Sequence, residues 1–274
     1  MTHPQSQTFT PQSTAIVIFD IDGVVRDVAG SYRRAIADTV EYFTHGVHRP
    51  SGVEIDQLKS EGFWNNDWEA SQEIVYRYFE SQGQARTQVD LNYETLIAFF
   101  QSRYQGPDPE HWTGYICTEP LLIQSSYLER LTAAGIGWGF FSGAPRREAQ
   151  YALTTRLGLV NPVLIAMEDA PGKPDPTGLL ATIEQLGQRH NLEPKTPVFY
   201  AGDTVADMYT IQKAKTLYPE RTWIAVGILP PHVQTVPEHR DTYQQTLQSA
   251  GAGVVLNNVE QLTPERIQQL VLQG

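Results

Sequence analysis

Two carboxylates, Asp20 and Asp22, stand one residue apart in the stretch Ala15-Ile-Val-Ile-Phe-Asp-Ile-Asp-Gly-Val-Val25. The apolar, mostly β-branched residues leading into Asp20 have the pattern of a strand buried on both faces of a parallel sheet. Such a strand delivers both acids at its C-terminal end, where ligands of open α/β sheets bind, and Gly23 lets the chain turn there. Two acids side by side in a dry crevice repel each other. They become compatible if a hard cation sits between them or if one keeps a proton. The pattern therefore asks for an ion such as Mg²⁺, with a separate task for each acid. A calcium loop is excluded: counted from Asp20, the sixth residue is Val25 instead of glycine and the twelfth is Ser31 instead of glutamate. The plain alternative is an acidic turn.

Three further segments carry polar residues at the ends of apolar runs. Phe140-Phe-Ser-Gly-Ala-Pro145 places Ser142 and Gly143 where a hydroxyl and backbone N–H groups could take phosphate oxygens; the alternative is that Ser142 caps the helix that follows. Gly172-Lys-Pro-Asp-Pro176 holds Lys173 in a loop stiffened by Pro174 and Pro176. An ammonium there could neutralise a carboxylate and a phosphoryl oxygen; the alternative is a solvated turn lysine. Tyr200-Ala-Gly-Asp-Thr-Val-Ala-Asp207 places Asp203 at a strand end and Asp207 one helical turn later on the same face. That spacing suits a metal ligand and a supporting acid; the alternative is that Asp203 or Thr204 only caps a helix.

The elements that must position these residues are legible in outline. From Glu119 onward the pattern alternates. Helices are expected at Ser125–Ala134, Arg146–Leu157, Thr177–Gln188, Val205–Lys215 and Pro264–Leu272. Strands are expected at Ile136–Phe141, Val163–Ala166, Val198–Ala201, Trp223–Val226 and Val254–Leu256. Alternation of this kind implies a parallel sheet with helices on both faces. Ile228–Arg240, with Pro230, Pro231 and Pro237, reads as a loop. Residues 28–118 contain no convincing strand. They carry helical spacing at Ser31–Gly46, with Ser31 as N-cap, and at Val53–Ser60, Asp67–Ser81 and Asn92–Tyr104. More than half of the chain's aromatic residues fall in this block, so a helical unit with its own core is expected, inserted after the first strand. The expected organisation is a disordered leader at 1–14, an α/β core from 15–27 and 119–274, and a helical unit at 28–118.

Composition narrows the partners. The net charge of −11 argues against nucleic acid and anionic membranes as partners of the surface as a whole. It does not exclude a phosphate ester, because a cation and a lysine reverse the field locally. The chain has one cysteine, Cys117, so no internal disulfide can form, which fits a reducing, cytoplasmic location. No apolar run approaches the ~20 residues of a membrane span, and the polar start lacks the pattern of a secretory signal.

In this order, Asp20-Ile-Asp22-Gly, Ser142, Lys173 and Gly202-Asp203-x-x-x-Asp207 resemble the haloacid dehalogenase superfamily over about Ala15 to Leu272. The resemblance implies an α/β, Rossmann-like core with an inserted helical cap. It implies Asp20 as the nucleophile that forms an aspartyl-phosphate and Asp22 as the acid and then the base. It implies Ser142 and Lys173, with Gly143, as holders of the phosphoryl group. Mg²⁺ would be held by Asp20, the backbone carbonyl of Asp22 and Asp203, with Asp207 assisting. The expected activity is hydrolysis of a small phosphorylated metabolite. A phosphomutase that returns the phosphoryl group to another hydroxyl is the second reading, and a non-catalytic binding protein on the same fold the third. Dehalogenases and phosphonate-cleaving members lack an acid at the place of Asp22. Phosphonate-cleaving members also need a lysine in the cap, where this chain has only Lys59.

Two features depart from the family pattern or stand outside it. Where relatives often continue Leu-x-Asp-Ser, this chain has Val25-Arg26-Asp27-Val28. Arg26 reads as an exposed charge, with an extra phosphate or cap contact as the alternative. In the cap, Gly62-Phe-Trp-Asn-Asn-Asp-Trp68 puts two amides between two tryptophans. Asn65 or Asn66, with Trp64 or Trp68, is a candidate for contact with the non-phosphate part of a substrate. The alternative is that Asp67 caps the next helix and the tryptophans anchor the unit.

Overall fold

The computed structural model describes residues 14–61, 63–64, 66–190 and 192–273. All but the last residue of the expected leader, and Asn65, lie outside them. In chain order the elements are β1 (Ala15–Phe19), α1 (Tyr32–Phe43), α2 (Gly52–Ser60), α3 (Asp67–Ser81), α4 (Tyr93–Tyr104), α5 (Ser125–Ala133), β2 (Ile136–Phe141) and α6 (Arg146–Gln150). There follow β3 (Leu164–Ile165), α7 (Thr177–His190), β4 (Val198–Gly202), α8 (Val205–Leu217), β5 (Trp223–Ile228), α9 (Pro237–Ser249), β6 (Val254–Leu256) and α10 (Pro264–Gln273). The chain divides into two compact units, one ending at Asp27 and resuming at Leu121, the other spanning Val28–Pro120.

In the first unit the six strands of the described residues form one parallel sheet in the order β3-β2-β1-β4-β5-β6. Strand β1 is central because every one of its five residues is apolar and buried. Its side chains alternate between the two faces. Val17 and Phe19 join one core with Phe140, Phe199, Tyr127 and Leu131. Ile16 and Ile18 join the other with Phe141, Tyr200, Leu179 and Met208. The strand order reverses at β1 and β4, and it is at such a switch point that the carboxyl ends of neighbouring strands leave a crevice. Phe19 lies opposite Ala201 of β4 and Phe140 of β2, so the residues just past these ends, Asp20, Asp203 and Ser142, come to one edge of the sheet.

The second unit is helical. Helix α1 packs against α3 and α4, and the buried residues recur at helical spacing: Ala35, Ile36 and Val40 on α1, Ile74 and Val75 on α3, Leu96 and Phe100 on α4. Its junction with the first unit falls at Pro120, two residues beyond the boundary read from the sequence. Glu119 belongs with the helices because its carboxylate accepts hydrogen bonds from Ser31 Oγ (2.5 Å) and Tyr104 Oη (3.1 Å). For the same reason Ser31, expected to cap α1, makes no side-chain capping bond.

One helix was missed. Helix α9 lies where the prolines suggested a loop continuing past Val236. Pro237 occupies the start of the helix, where a missing N–H costs nothing, and only Leu247 of α9 is fully buried, so the apolar signal is weak. The helix expected at Arg146–Leu157 is α6 followed by a wider π turn at Tyr151–Arg156. No helix among the described residues is long and apolar enough to cross a membrane.

Candidate active site

Asp20 follows β1 directly and is 6% exposed; its backbone N–H donates to Ala201 of β4, which fixes the start of the loop. Gly23 then adopts φ +76°, and a Cβ on it would lie 2.2 Å from Asp203 Oδ2. Glycine is required there on both counts, backbone conformation and close approach. Lys173, on the loop before α7, lies 2.7 Å from Asp20 Oδ1 and 2.7 Å from Asp207 Oδ1. Its ammonium is flanked by the rings of Phe141 and Tyr200, with centroids at 5.2 and 5.5 Å. The solvated-lysine reading does not hold, since the side chain is only 10% exposed.

Asp207, fully buried in the first turn of α8, is gripped from several sides. Tyr200 Oη donates to its Oδ1 at 2.7 Å. Thr204 donates to its Oδ2 through the hydroxyl (2.6 Å) and the backbone N–H (3.0 Å), and Thr204 caps α8 in a reciprocal box. Thr204 is thus the cap of α8, and Asp203 is left for the crevice. Ser142 at the end of β2 is 1% exposed and accepts the N–H of Ala144 (3.0 Å). It does not cap α6, whose N-cap residue is Pro145. Gly143, next along this tight turn, has open space where a Cβ would point.

The charges are out of balance. Burial raises the pKa of Asp20 to about 7 despite Lys173, and the charges of Asp207 and Asp22 push the same way. Asp203 stands well above the usual carboxylate range, through burial and then the charges of Asp20 and Asp207. Burial also opposes the charge on Asp207, but Lys173 and the hydrogen bonds from Thr204 and Tyr200 outweigh it and hold the carboxyl below the usual range. Burial likewise opposes the charge on Lys173, and Asp20 and Asp207 outweigh it, so the ammonium stays protonated. One lysine therefore serves three acids. One carboxylate oxygen from each of Asp20, Asp203 and Asp207 lies within 4.8 Å of the others; oxygen donors of this kind fit a hard divalent cation, and both Asp207 oxygens are already engaged by Lys173, Tyr200 and Thr204.

A model of the haloacid dehalogenase-like hydrolases matches residues 14–215. The chain belongs to this family. An imidazoleglycerol-phosphate dehydratase of Phytophthora nicotianae is 30% identical over 246 residues, which are 88% of this chain and 49% of that protein. The chain thus spans about half the length of this curated relative. A phosphonoacetaldehyde hydrolase-like protein of Oleispira antarctica superposes with a TM-score of 0.65 at 15% identity, covering 100% of this chain and 99% of that one. Phosphatase Tt82 of Thermococcus thioreducens gives 0.59 at 21% identity, covering 85% and 99%. At these identities the two likenesses concern the fold.

In this haloacid dehalogenase-like hydrolase, Arg26 corrects the reading from sequence. It is 1% exposed, and its Nε donates to Asp22 Oδ1 at 2.7 Å. Composition statistics favour an exposed arginine, but here Asp22 provides the counter-charge that makes burial tolerable. In the helical unit, Asn66 is the N-cap of α3: its Oδ1 accepts the N–H groups of Trp68 (2.9 Å) and Glu69 (3.2 Å). Asp67, the cap in the alternative reading, instead pairs with Lys59 Nζ at 2.6 Å. The Trp64 indole donates to Glu61 (3.0 Å). Two positioning contacts went unread in the sequence. Tyr200 was visible as the one hydroxyl in an apolar strand, and a buried phenol needs a partner. Tyr243, whose Oη donates to the backbone oxygen of Asp203 at 2.9 Å, lies on the missed helix α9.

Proposed function

We propose that this hydrolase is a Mg²⁺-dependent phosphatase acting on a small phosphomonoester through an aspartyl-phosphate. The observation that carries the reading is the Lys173 ammonium, 2.7 Å from both Asp20 and Asp207 at the strand ends. It holds the nucleophile and leaves a cation beside the incoming phosphoryl group. In the first step an Asp20 carboxylate oxygen attacks phosphorus and the P–O bond to the alcohol breaks. The departing oxygen takes a proton from the Asp22 carboxyl group. In the second step water attacks the phosphorus of the Asp20 acyl phosphate and gives its proton to Asp22. The bond from phosphorus to the Asp20 oxygen breaks, and phosphate leaves with Asp22 protonated again. Ser142 and the backbone at Gly143 orient the phosphoryl oxygens together with Lys173. Asp20, Asp203 and the Asp22 carbonyl would hold Mg²⁺, which supplies positive charge for the developing charge on those oxygens. Asp207 acts on that set from behind, through Lys173.

The relative of which this chain spans about half is named for a reaction of imidazoleglycerol phosphate, and that supports imidazole-bearing alkyl phosphates as a substrate class to test first. The experiment is phosphate release with Mg²⁺ across a panel of phosphomonoesters that includes imidazoleglycerol phosphate, for wild type and Asp20→Asn. The reading expects turnover that Asp20→Asn abolishes while the fold persists. Transfer of the phosphoryl group to a second hydroxyl without phosphate release would favour the mutase. A folded wild type inert to every ester would favour a binding protein. Turnover by Asp20→Asn, with deamidation excluded by mass, would overturn the mechanism.

A further inference from the structure

We infer that Arg26 is a positioning residue for Asp22, holding one oxygen of that carboxylate so that the other alone exchanges protons with the leaving group. The inference rests on the phosphatase reading and adds to it a residue outside the motifs. The backbone of Arg26 is fixed on two sides. Its carbonyl accepts the N–H of Gly23 (2.9 Å), and it bridges to Leu121, while Leu122 N–H donates to the carbonyl of Val25 (2.8 Å). The two preceding residues, Val24 and Val25, are fully buried, so the turn cannot slide. The side chain is 1% exposed, whereas the Asp22 side chain is 40% exposed.

This asymmetry decides the direction of the effect. A guanidinium is a rigid fork that presents its N–H groups at fixed angles. Locked below the loop, it approaches Asp22 from the protein side, and its Nε–H takes Oδ1 at 2.7 Å. With Oδ1 engaged by the guanidinium, Oδ2 is the oxygen assigned to proton exchange on a side chain that is 40% exposed. A buried salt bridge that served only stability would be a poor choice for this place, because an apolar side chain does that as well or better. A partner that orients a group doing acid–base work has a reason to be charged and directional.

The test uses leaving groups that need different amounts of proton help. kcat/KM reports the steps through departure of the alcohol, so it isolates the acid role of Asp22. Wild type, Arg26→Leu, Asp22→Asn and the double variant are compared on glycerol 2-phosphate, phenyl phosphate and p-nitrophenyl phosphate, with a thermal melt for each protein. Arg26→Leu is expected to lose about 10- to 100-fold in kcat/KM on the first two, the range seen when a partner orienting a catalytic group is removed. It should lose less than about 3-fold on p-nitrophenyl phosphate, whose phenolate leaves with little proton help. The double variant should lose no more than Asp22→Asn alone, because both changes act through one group. Should Arg26→Leu not fold, Arg26→Lys is read the same way, since an ammonium lacks the directed Nε–H. Equal losses on all three esters, no loss on any, or additive losses in the double variant overturn the inference and leave the phosphatase reading standing. A wild type inert to every ester overturns both.

Discussion

Lys173 Nζ and Asp207 Oδ1 lie 2.7 Å apart, and Asp207 has no exposed surface at all. The pair is therefore a strut, with the lysine anchored from behind by an acid that Tyr200 and Thr204 hold in turn. Lys173→Met should cut phosphate release by about 10²- to 10³-fold, as for other fixed donors to a developing oxyanion. It should also lower unfolding stability by about 3–5 kcal/mol, the usual cost of leaving a buried charge without its partner. Adding Asp20→Asn should restore part of that stability, because one of the stranded charges is then gone. Urea unfolding of the three proteins checks this, and a Lys173→Met protein as stable and as active as wild type would refute the strut.

Asp203 and Asp207 should respond differently to loss of their carboxylates. Both Asp207 oxygens already accept hydrogen bonds from the protein, whereas Gly23 keeps space open at Asp203 Oδ2. Asp203→Ala should raise the Mg²⁺ requirement sharply or remove activity. Asp207→Ala should cost about 10- to 100-fold, typical of an outer partner. Mg²⁺ titration of phosphate release distinguishes them; an unchanged Mg²⁺ requirement in Asp203→Ala would remove that residue from the metal site.

Stability of the Mg²⁺-free protein should fall as pH rises from about 4 to about 7. Asp20 goes from 3.8 unfolded to about 7 folded, so in this window the folded state binds the proton more tightly. The stabilisation is complete below the unfolded value and lost as pH passes the folded one. Asp203, also raised, adds to the same slope, and the two titrate as a pair. Asp207 is shifted the other way and acts only below the window. Urea midpoints in chelator across these pH values should decline for wild type and decline less for Asp20→Asn. Mg²⁺ should stabilise most at the upper end, where protons no longer compete. Midpoints that rise across the window would contradict the charge imbalance.

Asn66→Ala should destabilise the protein by about 0.5–2 kcal/mol, the cost of losing a helix N-cap, and Asn66→Asp should restore most of it. The side-chain oxygen takes two backbone N–H groups at the start of α3. Any loss of kcat/KM should then be the same for every ester. A loss confined to one ester, with unchanged stability, would show that the amide reaches substrate instead.

Much of this protein is determined locally, and that part was readable before folding. The run into Asp20 is apolar at every position, the pattern of a strand buried on both faces, and that reading puts the acids at its end. Lys173 between prolines and Asp203 after Gly202 carry signals within a few residues of themselves. What the sequence could not decide is which partner each polar group meets. Lys173 reaches Asp20 across more than a hundred residues, from the loop that runs between β3 and α7. Arg26 looks like surface by residue type, and only the turn that sets it under Asp22 makes its burial tolerable. Ser31 makes no capping bond because its hydroxyl goes to Glu119, and Asn66 caps α3 in place of Asp67, since capping depends on where a side chain finds its nearest donor or acceptor. Helix α9 was hidden by its prolines and its nearly all-polar surface, yet its Tyr243 steadies the backbone of Asp203. Propensity and periodicity describe a segment alone; burial and pairing belong to the whole fold, and they decide the electrostatics of the site.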